Sequence, residues 1–255
     1  MAVRVFGKSD VGSKRKSNQD SFLIIDRTDY TLVAVCDGMG GVKGGKLASS
    51  IAVKAFCGAV RLAISSDPSA LRSEQEIEDL LRQATADANT EVYSYAAEHS
   101  DLDGMGTTLV AVLLCKCGNF VVNVGDSRLY ARTTDSFTQI TKDNSFIQYL
   151  LDKGLITPEE AKTHPNRNII LRALGVNEEV EVDLYRVNEY EQLLLCSDGL
   201  YNMVPKDELQ SVTDGSFSGK RIPPGPRVRV NELIRRANRY GGQDNITAVL
   251  IGKKH

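Results

Sequence analysis

Residues 32–46 read LVAVCDGMGGVKGGK, a stretch that combines an apolar run, one aspartate, five glycines and a terminal lysine. The apolar run at residues 32–36 is typical of a buried β-strand. A glycine-rich segment directly after a strand indicates that the backbone approaches another group closely, most often a phosphate. The stretch therefore predicts a strand, an acidic residue at its end and a loop that binds something.

Further strand-like runs, rich in Val, Leu and Ile, lie on both sides of this stretch. They read VRVFG, SFLIID, TTLVAVLLC, NFVVNVGD, VEVDLYRV, QLLLCSD and NITAVLIG. Before the run TTLVAVLLC, apolar residues recur at helical spacing over residues 46–64 and again over residues 74–98. Two adjacent helices among strands favour an α+β sandwich, in which helices cover sheet faces, over an alternating parallel fold.

The composition is that of an ordinary globular chain: 255 residues, 42% hydrophobic and 25% charged, with a net charge of -2. A single domain over residues 1–255 is the expectation for this length. The near-neutral charge gives no general attraction to nucleic acid or to an anionic membrane. No run approaches the roughly 18 apolar residues of a membrane helix, and MAVRVFGKSD lacks a signal-peptide core. We therefore expect a cytoplasmic protein.

Residues 141–175 form an excursion between two strands and are interpreted as a flap subdomain. The segment carries a short helical pattern and a Thr-Pro-Glu-Glu helix start at residues 157–160. A second irregular stretch, residues 214–227, holds three of the seven prolines and is predicted to be an exposed loop before the last helix.

Aspartates stand at the ends of several predicted strands. Asp37, Asp126 and Asp198 each follow an apolar run, and Asp244 comes just before another. One such aspartate alone is usually a turn or helix-capping residue. If all four converge at one edge of the sheets, their charges repel unless cations neutralise them. Clustered carboxylates select Mg²⁺ or Mn²⁺ and commonly hold two such ions about 4 Å apart for hydrolysis at phosphorus.

Two nucleotide-binding patterns nearly fit the glycine-rich stretch, and each fails at one position. The segment GGVKGGKL lacks the hydroxyl residue of a P-loop, because Leu47 has no oxygen to offer Mg²⁺. The dinucleotide fingerprint fails because Lys43 stands where its third glycine is required. We interpret the loop as bare so that metals and a phosphate can lie against its backbone, with the Gly38 carbonyl beside Asp37.

Seven motifs are distributed over the chain from about residue 6 to residue 251. They read RKSNQDSF, VCDGMGG, GMGTTLVAV, NVGDSRLY, TKDNSF with NRNIILRALG, LLCSDGLYNMV and GGQDNIT. In order and spacing they resemble the motifs of the metal-dependent Ser/Thr protein phosphatases, the PPM or type 2C family, and in particular its bacterial branch. The resemblance implies a four-layer α-β-β-α sandwich with a central antiparallel β-sandwich, a flap subdomain and a metal centre at one end.

The same resemblance implies a role for each matching residue of the metal centre. Asp37 would bridge two tightly bound Mn²⁺ or Mg²⁺ ions, with the Gly38 carbonyl on the second. Asp198 and Asp244 would complete the first metal. Asp20 would hold one of the metals through a water molecule.

Two further residues would complete the active site. Arg15 would bind the substrate phosphate, because the fork of a guanidinium can grip two phosphate oxygens at once; a solvated charged turn is the alternative for this residue. Asp126 would bind a third, weaker ion together with Asp198. The implied activity is hydrolysis of phosphoserine and phosphothreonine in phosphorylated proteins by metal-activated water. A monomer that opposes a cognate Ser/Thr protein kinase is expected.

The chain departs from the bacterial pattern at three positions. Val42 stands where the family usually has histidine, Lys46 where it has glutamate, and Asn144 where the flap commonly has histidine. A non-catalytic phosphoprotein-binding module is the rival hypothesis from another class. The presence of Asp37, Asp198 and Asp244 favours the enzyme.

Overall fold

The computed structural model describes residues 3–67, 71, 73–217, 220–221 and 225–253, and two antiparallel sheets dominate them. The strands are β1 Val3–Asp10, β2 Asp20–Asp26, β3 Tyr30–Met39, β4 Gly106–Thr107, β5 Leu109–Cys115, β6 Gly118–Val124, β7 Arg128–Arg132, β8 Phe137–Gln139, β9 Asp183–Arg186, β10 Gln192–Cys196, β11 Ser216–Phe217, β12 Lys220–Arg221 and β13 Ile246–Lys253. The helices are α1 Gly41–Ser66, α2 Glu74–Glu98, α3 Phe146–Asp152, α4 Pro158–Thr163, α5 Asp198–Tyr201, α6 Lys206–Asp214 and α7 Pro226–Arg239.

The two main sheets are built from strands that are distant in sequence. One has the order β1-β13-β10-β7-β8, and the other has the order β2-β3-β5-β6-β9 with β4 paired to β3. The pairings within both sheets are antiparallel. The predicted α+β sandwich with antiparallel sheets is therefore confirmed.

Alternation along single strands produces the layers, because successive side chains point to opposite faces of a sheet. In β3, Leu32 and Ala34 pack under α1 and α2, whereas Val33 and Val35 pack against the other sheet. The outer face of that second sheet is covered by α5, α6 and α7. Both faces of the central strands are apolar for this reason, and the implied four-layer α-β-β-α order is confirmed.

The two long predicted helices are present, although one begins earlier than its periodicity indicated. The periodic segment 74–98 coincides with α2, whose start carries a capping box formed by Ser73 and Glu76. The segment 46–64 lies within α1, which begins at Gly41 inside the glycine-rich stretch. Glycine gives no apolar periodicity, so the first turn of α1 left no signal in the sequence.

One segment of α1 has the length and composition of a membrane-crossing helix. It is Lys43–Ser66, the single such helix found among the described residues, and 39% of its most apolar window is buried inside the protein. Ala48, Ala52 and Phe56 of this helix are buried in the core cluster that includes β3 and α2. A core helix passes the same test of length and composition, so the finding is weak evidence for a membrane span.

The strands β7 and β8 were not predicted, nor were the two-residue strands β4, β11 and β12, and β9 is shorter than its apolar run. The strands β7 and β8 were missed because Arg128 and Arg132 bound the short apolar segment of β7. These arginines are held by carboxylates from elsewhere, Arg128 by Asp143 and Arg132 by Glu191. The run at residues 180–187 forms only β9, Asp183–Arg186.

The flap at residues 141–175 holds the two short helices α3 and α4. The predicted start of α4 is confirmed, with Thr157 and Glu160 forming a capping box. The flap rejoins the body through a bridge between Thr107 and Leu174. The predicted loop at 214–227 is only partly correct, because its described residues include the paired strands β11 and β12 and the start of α7. Residues 218–219 and 222–224 lie outside the described residues.

Candidate active site

Four of the predicted site aspartates lie at one end of the two sheets because of how neighbouring strands pair. Asp20 and Asp37 are directly paired residues of the antiparallel strands β2 and β3. Asp198 is the first residue of α5, two residues after β10 ends, and Asp244 lies two residues before β13 begins. Since β10 pairs antiparallel with β13, the end of the first strand lies beside the start of the second.

A cleft of about 1120 Å³ opens at this end of the molecule. Its walls include Arg15, Asp37, Gly38, Asp126, Asp198 and Asp244, together with flap residues such as Lys162 and Arg167. The structure thus brings six of the seven predicted residues to one cleft. The seventh, Asp20, is only 8% exposed and is paired with Asp37.

Burial raises the pKa of these carboxyl groups, and their mutual repulsion raises it further. The pKa of Asp20 is raised to about 6 by burial, against hydrogen bonds that lower it. Burial raises the pKa of Asp198 and Asp126 to about 7 in each case, with Asp244 and Asp198 as the largest neighbouring charges respectively. The pKa of Asp37 is raised well above its usual range by burial, then by Asp20 and Asp198. The cluster therefore favours either protons or cations.

Two buried carboxylate oxygens of the cluster are suited to binding a cation. Oδ1 of Asp20 and Oδ1 of Asp198 are buried and accept no hydrogen bond within the described part of the chain. A buried carboxylate oxygen without a partner is costly, and a hard divalent cation satisfies it. Among the described residues, no three His, Cys, Asp or Glu side chains are already gathered around one point. The oxygen donors thus fit Mg²⁺ or Mn²⁺ in kind, and closing them around an ion requires side-chain movement.

Arg15 is paired with one of the predicted metal ligands. Its guanidinium donates a hydrogen bond to Asp244 over 2.7 Å, and both side chains are partly exposed. The pKa of Arg15 is raised, chiefly by this hydrogen bond to Asp244. The pair joins the N-terminal loop to the turn before β13. Arg15 therefore lies in the cleft, in direct contact with a predicted metal ligand.

Hydroxyl groups that the sequence analysis did not single out hold the buried aspartates. Ser197 and Thr247 each donate a hydrogen bond of 2.7 Å to Oδ2 of Asp20. The hydroxyl of Thr108 accepts the backbone N–H of Asp37 over 2.9 Å. The sequence offers a faint signal for this role, because each hydroxyl interrupts or borders an apolar run.

The backbone carbonyl of Asp126 is hydrogen-bonded, so the carboxylate of Asp126 is not needed to hold the turn. The hydroxyl of Tyr201 donates to the Asp126 carbonyl over 2.9 Å. The guanidinium of Arg128 stacks on the Tyr201 ring, 3.6 Å from its centre, and also binds Asp143 at the start of the flap. Tyr201 and Arg128 were missed because their partners are far away in the sequence.

The glycine-rich stretch has a packing role that the sequence interpretation did not include. A Cβ on Gly38 would lie 1.9 Å from the Gly45 carbonyl oxygen, and a Cβ on Gly45 would lie 2.7 Å from the Gly38 oxygen. The first turns of α1 therefore press against β3 where only glycine fits. Gly41, by contrast, has open space around its Cβ position and lines the cleft. Tight packing accounts for Gly38 and Gly45, and the interpretation of a bare loop fits Gly41.

Comparison with known proteins agrees with this geometry. The family model described as protein phosphatase 2C matches residues 8–221. The Ser/Thr phosphatase stp of Listeria welshimeri is 39% identical over 247 residues, covering 96% of this chain and 93% of that protein. The crystal structure of the Ser/Thr phosphatase Stp1 from Staphylococcus aureus superposes with a TM-score of 0.86 at 34% identity, covering 100% of this chain and 96% of that one.

A further solved structure bears on the metals. The catalytic domain of the Ser/Thr protein phosphatase PstP, in complex with two manganese ions, has a TM-score of 0.77 at 32% identity and covers 98% of this chain and 97% of that one. Fold, cleft and relatives together define a metal-dependent hydrolase that acts on phosphorylated proteins. The chain belongs to the protein phosphatase 2C family and is a Ser/Thr protein phosphatase.

Proposed function

We infer that this phosphatase works through a binuclear Mn²⁺ or Mg²⁺ centre built around Asp37. The carboxylates of Asp37, Asp198 and Asp244 and the Gly38 carbonyl would hold the two ions directly. Asp20 would hold one of them through a water molecule. The observation that carries this proposal is the set of carboxyl groups around Asp37, with Asp20 buried and Asp37 and Asp198 partly buried, raised pKa values and two unpartnered oxygens.

When bound, two such ions lower the pKa of a water molecule and so supply a hydroxide nucleophile for attack on phosphorus near neutral pH. The protein's own residues do the rest. Thr108 fixes the backbone of Asp37, and Ser197 and Thr247 orient Asp20. The guanidinium of Arg15 leaves Asp244 and donates two parallel hydrogen bonds to the substrate phosphate. Asp126, with Asp198, provides a third and weaker cation site beside the flap.

The proposal extends to the setting of the enzyme. Residues 1–255 act as one catalytic domain, the protein is a cytoplasmic monomer, and a cognate Ser/Thr protein kinase makes its substrates. The manganese-bound relative PstP supports the two tight ions. Manganese and magnesium both suit the all-oxygen donor set.

A phosphothreonine peptide assay tests the function directly. With Mn²⁺ or Mg²⁺ we expect steady release of phosphate, and with excess chelator we expect none. Calorimetry on the metal-free protein should count two tight ions. Equal turnover with and without chelator would overturn the metal centre, and binding of the peptide without turnover would favour the rival binding module.

Arg15→Ala should mainly weaken phosphate binding. We expect KM for the phosphopeptide to rise by on the order of tenfold, with a smaller fall in kcat, because the contact is made in both ground and transition states. Arg15→Lys is the matched variant, since it keeps the charge and loses the fork, and it should recover only part of the affinity. A pure loss of kcat with unchanged KM would instead assign Arg15 to transition-state stabilisation.

A further inference from the structure

Asn144 uses all its polar groups to join separate parts of the chain. Its side-chain oxygen accepts the backbone N–H of Gly125 over 2.9 Å, and its side-chain nitrogen donates to Asp183 over 2.8 Å. Its backbone N–H donates to the Gly125 carbonyl over 2.9 Å, and its carbonyl accepts the N–H of Leu171 over 2.7 Å. One residue therefore binds the turn after β6, the far end of the flap and the edge strand β9.

Asp183, which accepts this hydrogen bond, is itself held by an arginine side chain. Arg172, near the end of the flap, donates to Oδ1 of Asp183 over 3.1 Å and pairs with Glu181 over 2.5 Å. The other oxygen of Asp183 receives the Asn144 amide. Because a carboxylate only accepts and a guanidinium only donates, this arrangement requires a donor at position 144 on the side that faces Asp183.

The turn that Asn144 holds is the one that carries Asp126. Gly125 has φ +102°, and a Cβ there would lie 2.6 Å from a side-chain carbon of Thr108, so the turn packs closely against Thr108, just before β5. On the other side of Asp126, Ser127 bonds the Thr108 hydroxyl over 2.7 Å. The turn thus contacts Thr108 on one side and is hydrogen-bonded to the flap through Asn144 on the other.

We propose that Asn144 is a positioning residue that sets the Asp126 turn according to the seating of the flap. The inference rests on the proposed function only in the role of Asp126; the link itself is a property of the metal-free protein. A flap displaced by a substrate or a partner would pull on Gly125 through Asn144 and so move Asp126 relative to Asp198. The residue acts on the reaction through Asp126 and does not touch the substrate.

Exchanging the residue types of Asn144 and Asp183 tests the hydrogen-bonded link between them. Asn144→Asp keeps the acceptor for Gly125 but sets two carboxylates against each other, whereas Asp183→Asn alone still offers an amide oxygen to Asn144. The double variant N144D/D183N restores a donor and an acceptor in reversed order. A double-mutant cycle of this kind isolates the pair from the effects of each single change.

The first readout is hydrogen exchange on the metal-free, full-length protein. In Asn144→Asp, amides of residues 125–128 and 171–175 should exchange at least about tenfold faster, and the double variant should return toward wild type. Asn144→Ala, which adds no charge, should show the same local loss. Thr157→Ala is the control: it removes the cap of α4 within the flap and should leave residues 125–128 unchanged.

The second readout is turnover on the phosphopeptide at increasing Mn²⁺. Asn144→Asp should lower kcat by about tenfold at limiting metal with little change in KM, and the double variant should recover most of it. Unchanged exchange at residues 125–128 in both Asn144 variants, or a double variant no better than Asn144→Asp, would overturn the proposal. A wild type without metal-dependent turnover would instead overturn the proposed function, and the exchange result would still stand.

Discussion

Asp37→Asn is expected to lower metal-dependent turnover by on the order of a thousandfold or more while the protein still folds. A neutral amide cannot bridge two divalent cations with the same charge compensation, so the tight ions lose their common ligand. Turnover of a phosphothreonine peptide and calorimetric counting of bound Mn²⁺ measure the loss. Near-normal turnover with both ions still bound would contradict the proposed centre.

The same substitution should stabilise the metal-free protein. The pKa of Asp37 is raised well above its usual range, mainly by burial. A carboxyl group whose pKa is higher in the folded than in the unfolded state lowers the stability of the protein as the pH rises above about 4, the pKa of the unfolded state. This loss of stability is complete once the pH exceeds the pKa of the folded state. Asparagine carries no such penalty. The melting temperature of Asp37→Asn should therefore exceed that of wild type at pH 8, with a smaller difference near pH 5.

A matched control separates this effect from a general effect of losing a carboxylate. Asp29 is exposed in the hairpin between β2 and β3, at the opposite end of the strand pair from Asp37. Asp29→Asn removes an exposed carboxylate outside the cleft and should leave turnover unchanged. Added Mn²⁺ should raise the melting temperature of wild type and of this control, and much less that of Asp37→Asn.

Local patterns predicted an α+β sandwich and an acidic centre, whereas the four-layer order came from the family resemblance. The continuous apolar run in β3 requires two buried faces, and aspartates directly after such strands must lie at the end of a sheet. Two adjacent helical patterns placed the helices on one face. The expectation that Asp198 and Asp244 act together came from the resemblance to a known family and not from periodicity, and the structure brings them together by pairing β10 with β13.

What the sequence did not predict depends on contacts between distant residues. The strand β7 is bounded by arginines whose charges are compensated by Asp143 and Glu191, and no local pattern marks such a strand. Asn144 stood out only as a departure from the family pattern, and the roles of Tyr201 and Asn144 follow only from their distant partners. The packing of Gly38 against Gly45 is likewise a property of the fold, since an α1 that began later would not need it.

Asp126→Ala separates two roles for the aspartate after β6. If Asp126 merely caps its turn, the substitution should change stability by about 1 kcal/mol and leave catalysis alone. The hydrogen bonds favour another role, because Tyr201 already holds the Asp126 carbonyl and Asn144 holds the neighbouring Gly125. The carboxylate of Asp126 is thus left to act in the cleft, where burial and Asp198 raise its pKa to about 7.

We therefore expect Asp126→Ala to keep its two tight ions by calorimetry and to lose on the order of a hundredfold in kcat on a phosphopeptide. The alkoxide of serine or threonine needs a proton as it leaves, whereas an aryl oxide needs little, so an aryl phosphate should suffer a smaller loss. The family resemblance leads us to expect histidine at position 42, and Val42 offers no imidazole, so we expect the Asp126 site to matter more for the leaving group. Equal losses on both substrates would contradict the leaving-group role, and no loss on either would make Asp126 a turn residue.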